Sequence, residues 1–347
     1  MLYEDVLRFI ATQPRLKLET WPTPMMPMDG LRRALLAEGP CPKLWVKRED
    51  MTSYGLGGDK IRRLEFAFAK AIEANAEVII ISGGIHSNSI LQVSAVCARL
   101  GLECEVFVTR PNNATPDDEN DAVNVMICLL HGARVHLMGP LENAERVTGE
   151  RVEELKAEGR KPFLIEPGGT SPYSTLGAVL CLHELLEQTR EKGFTPSAIV
   201  APTGWCGNAA GFLIGLALLA GSGGPSIPLY VFDTFGKDAA VPARKRILNI
   251  VSGCWKLMGL PGKCDDALLH LSTEFAGQGI SRPDERAIEA IRFLGCKEGL
   301  LLDPSYTGKC MAGLLHMIRN KAFTQKDNVV YLHPGGMPAM FAMRRIL

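Results

Sequence analysis

The sequence predicts an α/β protein built on parallel sheets, and three observations support this. Short, almost wholly apolar runs alternate along the chain with longer helical patterns. The runs are bounded by Gly, Pro or Ser, as strands buried on both faces should be. Parallel pairing of such strands needs crossover connections, which the intervening helical stretches can supply.

Taken in order, the first strand is expected over 43–47, with a helix over 60–75 behind a glycine turn. The run Val-Ile-Ile-Ile-Ser predicts a strand over 78–82, and Ser87 opens a helix over 87–100. Strands over 104–109, 133–138 and 163–166 alternate with helices over 122–130 and 141–157. A helix over 173–192 leads to a strand over 198–201, followed by an apolar helix over 208–219. Strand 229–232, helices 242–258, 283–294 and 306–320, and strand 329–333 complete the pattern. Segments 110–119 and 221–228 read as loops, neither long enough to be a tether.

Composition bounds the function. At roughly 150 residues per domain, 347 residues suggest about two domains. Lys+Arg and Asp+Glu balance at 38 each, so no global charge draws the chain to nucleic acid or an anionic membrane. The longest apolar run, 212–221, is about half of what a bilayer needs. No basic segment followed by an apolar one opens the chain, so no secretory signal is expected. The ten cysteines are scattered without a CxxC pair, which predicts reduced, buried or half-buried thiols and a cytoplasmic location. No two histidines share metal-ligand spacing, so no metal is expected.

In open α/β sheets, ligands gather where strands hand over to helix N-termini. Five such loops carry chemistry. In Gly55-Leu56-Gly57-Gly58-Asp59-Lys60, the glycines allow close backbone approach and Lys60 opens an amphipathic helix. A Walker loop needs Gly-Lys-Ser/Thr, so nucleoside triphosphate binding is excluded. The positive end of a helix destabilises an ammonium and favours a reactive amine, although a solvated helix-start lysine is the plainer alternative. Ser82-Gly83-Gly84-Ile85-His86-Ser87-Asn88-Ser89 offers N–H groups and hydroxyls to an anion such as a carboxylate. Pro202-Thr203-Gly204-Trp205-Cys206-Gly207-Asn208 reads as a phosphate cradle, or as an ordinary turn. That loop has no Arg or Lys, so anion binding there is expected to rest on N–H groups and the helix dipole. Leu301-Leu302-Asp303-Pro304-Ser305-Tyr306-Thr307-Gly308-Lys309 and Tyr331-Leu332-His333-Pro334-Gly335-Gly336-Met337-Pro338 each follow a short apolar run and belong at the same sheet edge.

Together with Lys47-Arg48-Glu49-Asp50 and Pro167-Gly168-Gly169-Thr170-Ser171-Pro172, these motifs resemble the D-cysteine desulfhydrase / 1-aminocyclopropane-1-carboxylate (ACC) deaminase family, in family order from about 20 to 345. The resemblance implies pyridoxal 5'-phosphate as cofactor. The implied fold is tryptophan-synthase-β-like, fold type II, with two open-sheet three-layer (αβα) domains. Residues 1–62 plus 178–347 would form the larger cofactor-binding domain and 63–177 the inserted one, in a homodimer. Lys60 would be the Schiff-base lysine and Asn88 would lie beside the cofactor's phenolic oxygen. Ser87, Asn88 and Ser89 would bind the substrate carboxylate. Thr203, Gly204, Trp205, Cys206, Gly207 and Asn208 would form the phosphate loop, Tyr306 would be an active-site tyrosine and Thr307 the residue near the pyridine nitrogen. This chain departs from the family at Asp59 (usually Asn), at Ser89 and Leu91, in a longer phosphate loop and at Pro334.

ACC deaminases carry Glu where this chain has Thr307. A neutral hydroxyl leaves the cofactor a weaker electron sink, which suits β-elimination better than ring opening. The expected reaction is deaminating β-elimination from a small amino acid, giving pyruvate, ammonia and the leaving group. Lys60 would be the base, assisted by Tyr306 or Ser87. ACC ring opening, β-replacement and cofactor binding without turnover are the alternatives. A nicotinamide dehydrogenase would need GxGxxG after a strand, which is missing.

Overall fold

The computed structural model describes residues 3–110, 122–139, 143–236 and 241–342. Its elements, in chain order, are α1 (Tyr3–Ala11), β1 (Met25–Pro27), α2 (Asp29–Leu36), β2 (Lys43–Arg48), α3 (Lys60–Glu73), β3 (Val78–Gly84), α4 (Asn88–Leu100) and β4 (Glu103–Thr109). Next come α5 (Val123–Leu130), β5 (Arg134–Leu137), α6 (Ala144–Ala157), β6 (Pro162–Ile165), α7 (Leu176–Glu191) and β7 (Ala198–Thr203). The remainder are α8 (Gly207–Gly221), β8 (Leu229–Asp233), α9 (Ala243–Leu257), β9 (Leu269–Ser272), α10 (Glu285–Glu298), α11 (Thr307–Arg319), β10 (Asn328–His333) and α12 (Met337–Ala342).

Two sheets form. The six-stranded sheet has the order β1-β2-β10-β7-β8-β9, and the four-stranded sheet β5-β4-β3-β6. Every pairing is parallel except β1 with β2. The first sheet joins strands from both halves of the chain, whereas the second uses only 78–165. Strands β3 and β7 are almost wholly buried along their length, as the apolar runs required. Helices cover the six-stranded sheet on two sides. One core cluster includes Phe212, Leu213 and Val251, and the other Leu31, Leu294 and Leu314. The four-stranded sheet packs against α3, α4 and α5 on one side and α6 on the other.

All eight expected strands are present, with ends moved by one or two residues. The sequence reading missed β1, β9, α1, α2 and α12. Strand β1 is three residues long with a proline, and β9 is a half-exposed edge. Helix α2 buries only Leu31 and Leu35, too few for a helical period to stand out. Helix α6 starts at Ala144 behind the Asn143 cap, and the start expected at Leu141 lies outside the described residues. The 110–119 loop is likewise outside them, except for Arg110. All ten cysteines are free, and Cys296 is exposed, against the expectation of buried or half-buried thiols. Among the described residues no helix is long and apolar enough to cross a membrane.

Candidate active site

The carboxyl ends of β2, β3, β7 and β10 deliver their loops to one cavity. Counting the open solvent at its mouth, it takes in about 580 Å³. Lys60, Ser87, Asn88, Ser89, Thr203, Gly204, Trp205, Cys206, Gly207, Asn208 and Tyr306 all line it, from loops up to some 250 residues apart in sequence. Thr307 alone of the expected site residues does not.

Lys60 opens α3, and its Nζ lies 2.6 Å from Asp59 Oδ1. One helical turn on, Arg63 donates to Asp59 Oδ2 at 3.1 Å, Asn208 Oδ1 at 2.6 Å and the Gly168 carbonyl at 3.1 Å. Burial pushes the Asp59 carboxyl up, but the Lys60 and Arg63 charges outweigh it and hold the group below its usual range. Lys60 therefore does not face the helix dipole alone, since Asp59 is its counter-ion.

The start of α3 is fixed from below. Arg62 donates to Glu49 Oε2 at 2.6 Å and to Glu184 Oε1 at 2.7 Å, with its guanidinium 3.7 Å from the Trp21 ring centre. Buried Lys47 donates to the Thr23 carbonyl at 2.7 Å and pairs with Glu184. The Lys47-Arg48-Glu49-Asp50 motif thus acts as a foundation for the lysine loop and supplies nothing to the cavity wall. Gln92 adds a second tie, accepting from Ile61 N at 2.7 Å and donating to the Gly57 carbonyl at 3.1 Å.

Ser87 caps α4, accepting from Ser89 N at 3.3 Å, and the two hydroxyls share a 2.7 Å hydrogen bond. Asn124 donates to the Ser87 carbonyl at 3.1 Å, which holds the turn from α5. Asn88 reaches the cavity through a close backbone crossing. Gly335 (φ +96°) and Gly58 form a bridge, and a Cβ on Gly335 would meet Gly58 Cα at 2.6 Å and Asn88 Nδ2 at 3.1 Å.

At the end of β7, Cys206 takes φ +68°, a left-handed conformation uncommon for a residue other than glycine. Helix α8 follows without a side-chain cap, and its first backbone bond runs from Ala210 N to the Cys206 carbonyl. The N–H groups of the first turn are thus left without intrahelical acceptors. Arg63 Nε is buried and without a partner. A Cβ on Gly207 would come within 3.0 Å of both Arg63 Nε and Thr170 Oγ1. A helix N-terminus, an orphaned guanidinium N–H, a hydroxyl and a space that only glycine leaves open together suit a phosphate group. The loop itself holds no Arg or Lys, but Arg63 reaches it from α3, and its i+3 spacing from Lys60 was the available signal. The Cys206 thiol donates to the Gly204 carbonyl at 3.3 Å, and burial pushes its pKa up, which favours the thiol over the thiolate.

Tyr306 faces the cavity, and burial pushes its phenol up, so the hydroxyl keeps its proton. Thr307 is fully buried. Its Oγ1 donates to Asp303 Oδ2 at 2.6 Å and accepts from Asp303 N at 2.7 Å. Asp303 also accepts from Ser305 N, Tyr306 N and Thr307 N at 2.8, 2.7 and 3.1 Å. Gly336 (φ +108°) brings the cavity wall against this carboxylate, and a Cβ there would meet Asp303 Oδ2 at 2.4 Å. His333 Nε2 lies 2.8 Å from the Leu301 carbonyl and its Nδ1 3.3 Å from Gly335 N, so the ring shapes the wall.

An α/β fold with a helix-start lysine, a phosphate cradle and a serine-capped turn on one cavity defines an enzyme for a phosphate-bearing, amine-reactive cofactor. A family model described as pyridoxal-phosphate dependent enzyme matches residues 16–335, and the chain belongs to that family. It is 35% identical over 334 residues to a probable 1-aminocyclopropane-1-carboxylate deaminase of Schizosaccharomyces pombe, covering 92% of this chain and 94% of the relative. It is 31% identical to a D-cysteine desulfhydrase of Salmonella choleraesuis, covering 97% and 98%. The crystal structure of an ACC deaminase homologue superposes with a TM-score of 0.82 at 26% identity, covering 99% of each chain. The cofactor is pyridoxal phosphate, the fold is type II, and the chain is a lyase of the deaminating class to which these relatives belong.

Proposed function

We propose that this cavity catalyses deaminating β-elimination from a small amino acid, with Lys60 as the amine that carries the cofactor. The observation behind this reading is that Lys60, the phosphate cradle and the Ser87–Ser89 turn converge on one cavity. When bound, pyridoxal phosphate supplies an electron sink for a carbanion at Cα. The first turn of α8, with Arg63 and Thr170, would hold the phosphate, and Asn88 would hold the ring. The N–H groups and hydroxyls of Ser87 and Ser89 bind the substrate carboxylate. Lys60 takes the Cα proton once its amine is free, and Asp59 steadies the resulting ammonium. Tyr306, which keeps its proton, donates toward the leaving group.

The only carboxylate lining the cavity among the described residues is Asp59, and Lys60 and Arg63 already meet its charge. This supports elimination, which asks less of the electron sink than ring opening does. Ring opening is the second reading, favoured by the 35% identical relative. The sheet memberships support reading 63–177 as an inserted domain and 1–62 plus 178–347 as the larger one. A homodimer in the cytoplasm completes the proposal. The test offers D-cysteine, L-cysteine, L-cysteate, D-serine, β-chloroalanine and ACC to the holoenzyme. Pyruvate from β-chloroalanine with little 2-oxobutyrate from ACC supports elimination, and the reverse establishes ring opening.

A further inference from the structure

Lys309 sits on α11, three residues after Tyr306, and is wholly buried. Its Nζ donates to the main-chain carbonyls of Ala276, at 2.7 Å, and Gly279. It forms no ion pair among the described residues. The carboxylates facing it at longer range are Asp303, Asp284 and Asp233, and burial outweighs them, pushing the ammonium down to about 8. An ammonium buried without a counter-ion is costly, and the two carbonyls it bonds offset only part of that cost.

What it holds is a strained loop. Gly277 and Gly279 take φ of +62° and +98°, and Ser281, which has a side chain, takes +60°. The loop packs on Phe235 and Gly236: a Cβ on Gly279 would meet the Phe235 carbonyl at 3.5 Å, and one on Gly236 would meet Ala276 Cβ at 3.5 Å. The Phe235 ring in turn lies against the cavity wall. A Cβ on Gly204 would touch it at 3.0 Å, and Trp205 meets it edge-on with centroids 5.4 Å apart. Lys309, its loop, Phe235 and the turn that precedes α8 therefore lie side by side.

We propose that Lys309 is a positioning residue: by gripping the Ala276 and Gly279 carbonyls it keeps Phe235 pressed on Gly204 and Trp205, and so fixes the phosphate end of the cavity. The inference rests on the reading that the 203–208 turn takes the cofactor phosphate. Its test is the rate at which holoenzyme loses pyridoxal phosphate on dilution, well below the melting temperature, in wild type, Lys309→Met and Gly207→Val. Lys309→Met is expected to lose cofactor about tenfold to a hundredfold faster, the scale of a small misplacement in a binding site. With excess cofactor supplied, its kcat should return close to the wild-type value. A lower melting temperature with an unchanged loss rate reduces Lys309 to a structural prop and overturns the proposal. If Lys309→Met does not fold, Phe235→Leu breaks the same line of contacts at its far end, and a wild-type loss rate there overturns it equally. Retention by Lys309→Met with loss by Gly207→Val defeats the clamp alone. Retention by both defeats the phosphate-loop assignment and the clamp with it.

Discussion

Of the helices whose first turns point at the cavity, two are preceded by a buried aspartate. Asp59 precedes α3 and is 2% exposed, and Asp303 precedes α11 and is fully enclosed. Their partners differ. Asp59 meets the cations Lys60 and Arg63, whereas Asp303 meets three backbone N–H groups and one hydroxyl. Burial therefore wins at Asp303, whose carboxyl is pushed up, and loses at Asp59, whose carboxyl is held down. Equal burial gives opposite electrostatics because a charge-assisted pair offsets desolvation where neutral donors do not. Asp59 thus belongs to the electrostatics of the site, while Asp303 is a cap that places Tyr306 at the cavity and consumes the Thr307 hydroxyl.

The largest expected effect tests what the Asp303 cap delivers. Tyr306→Phe should cut turnover about 10²–10⁴-fold, the range for assisted proton transfer, with cofactor retention unchanged. Wild-type turnover would make Tyr306 a wall residue only. Next comes the cap itself: Asp303→Ala strands several buried donors and should lower unfolding stability by about 3 kcal/mol, read from denaturant midpoints. A change within error would mean that the turn holds without its carboxylate. The pH dependence sharpens the contrast further. Asp59, held low, contributes stability that is present above the usual aspartate range and lost as pH falls through its depressed pKa. Asp303, held high, contributes the opposite slope, with stability gained as pH falls from its raised value toward the usual range. Asp59→Asn should therefore flatten the acid limb of the stability profile and Asp303→Asn steepen it; a shift of the same sign in both would break the comparison. The smallest effect belongs to Cys206→Ser, whose buried thiol bonds back to the Gly204 carbonyl and whose loss should leave cofactor retention near wild type.

Much of this architecture was legible in the residues. Runs such as Val78–Gly84 and Ala198–Thr203 are buried on both faces, so no competing helical period obscured them. The site loops were legible because each places glycines and small polar residues directly after such a run. The missed features depend on tertiary partners. Asp59 was read as a departure from the family, and its role as counter-ion emerges only once Arg63 stands one turn away. Asp303 carried a weak signal, an Asp-Pro-Ser turn ahead of a helix, but nothing local announces that it accepts a hydrogen bond from the Thr307 hydroxyl. Lys309 closes the 301–309 motif, but its role was the least legible, because its full burial follows from a loop some thirty residues upstream.

The account turns on Lys60 as the residue that carries the cofactor. Borohydride reduction of the yellow holoenzyme, followed by digestion and peptide mass spectrometry, measures this directly. The pyridoxyl label is expected on one peptide, at Lys60, and absent from Lys60→Ala. A label on Lys309 or any other lysine, or a protein that stays colourless with added pyridoxal phosphate, would contradict it.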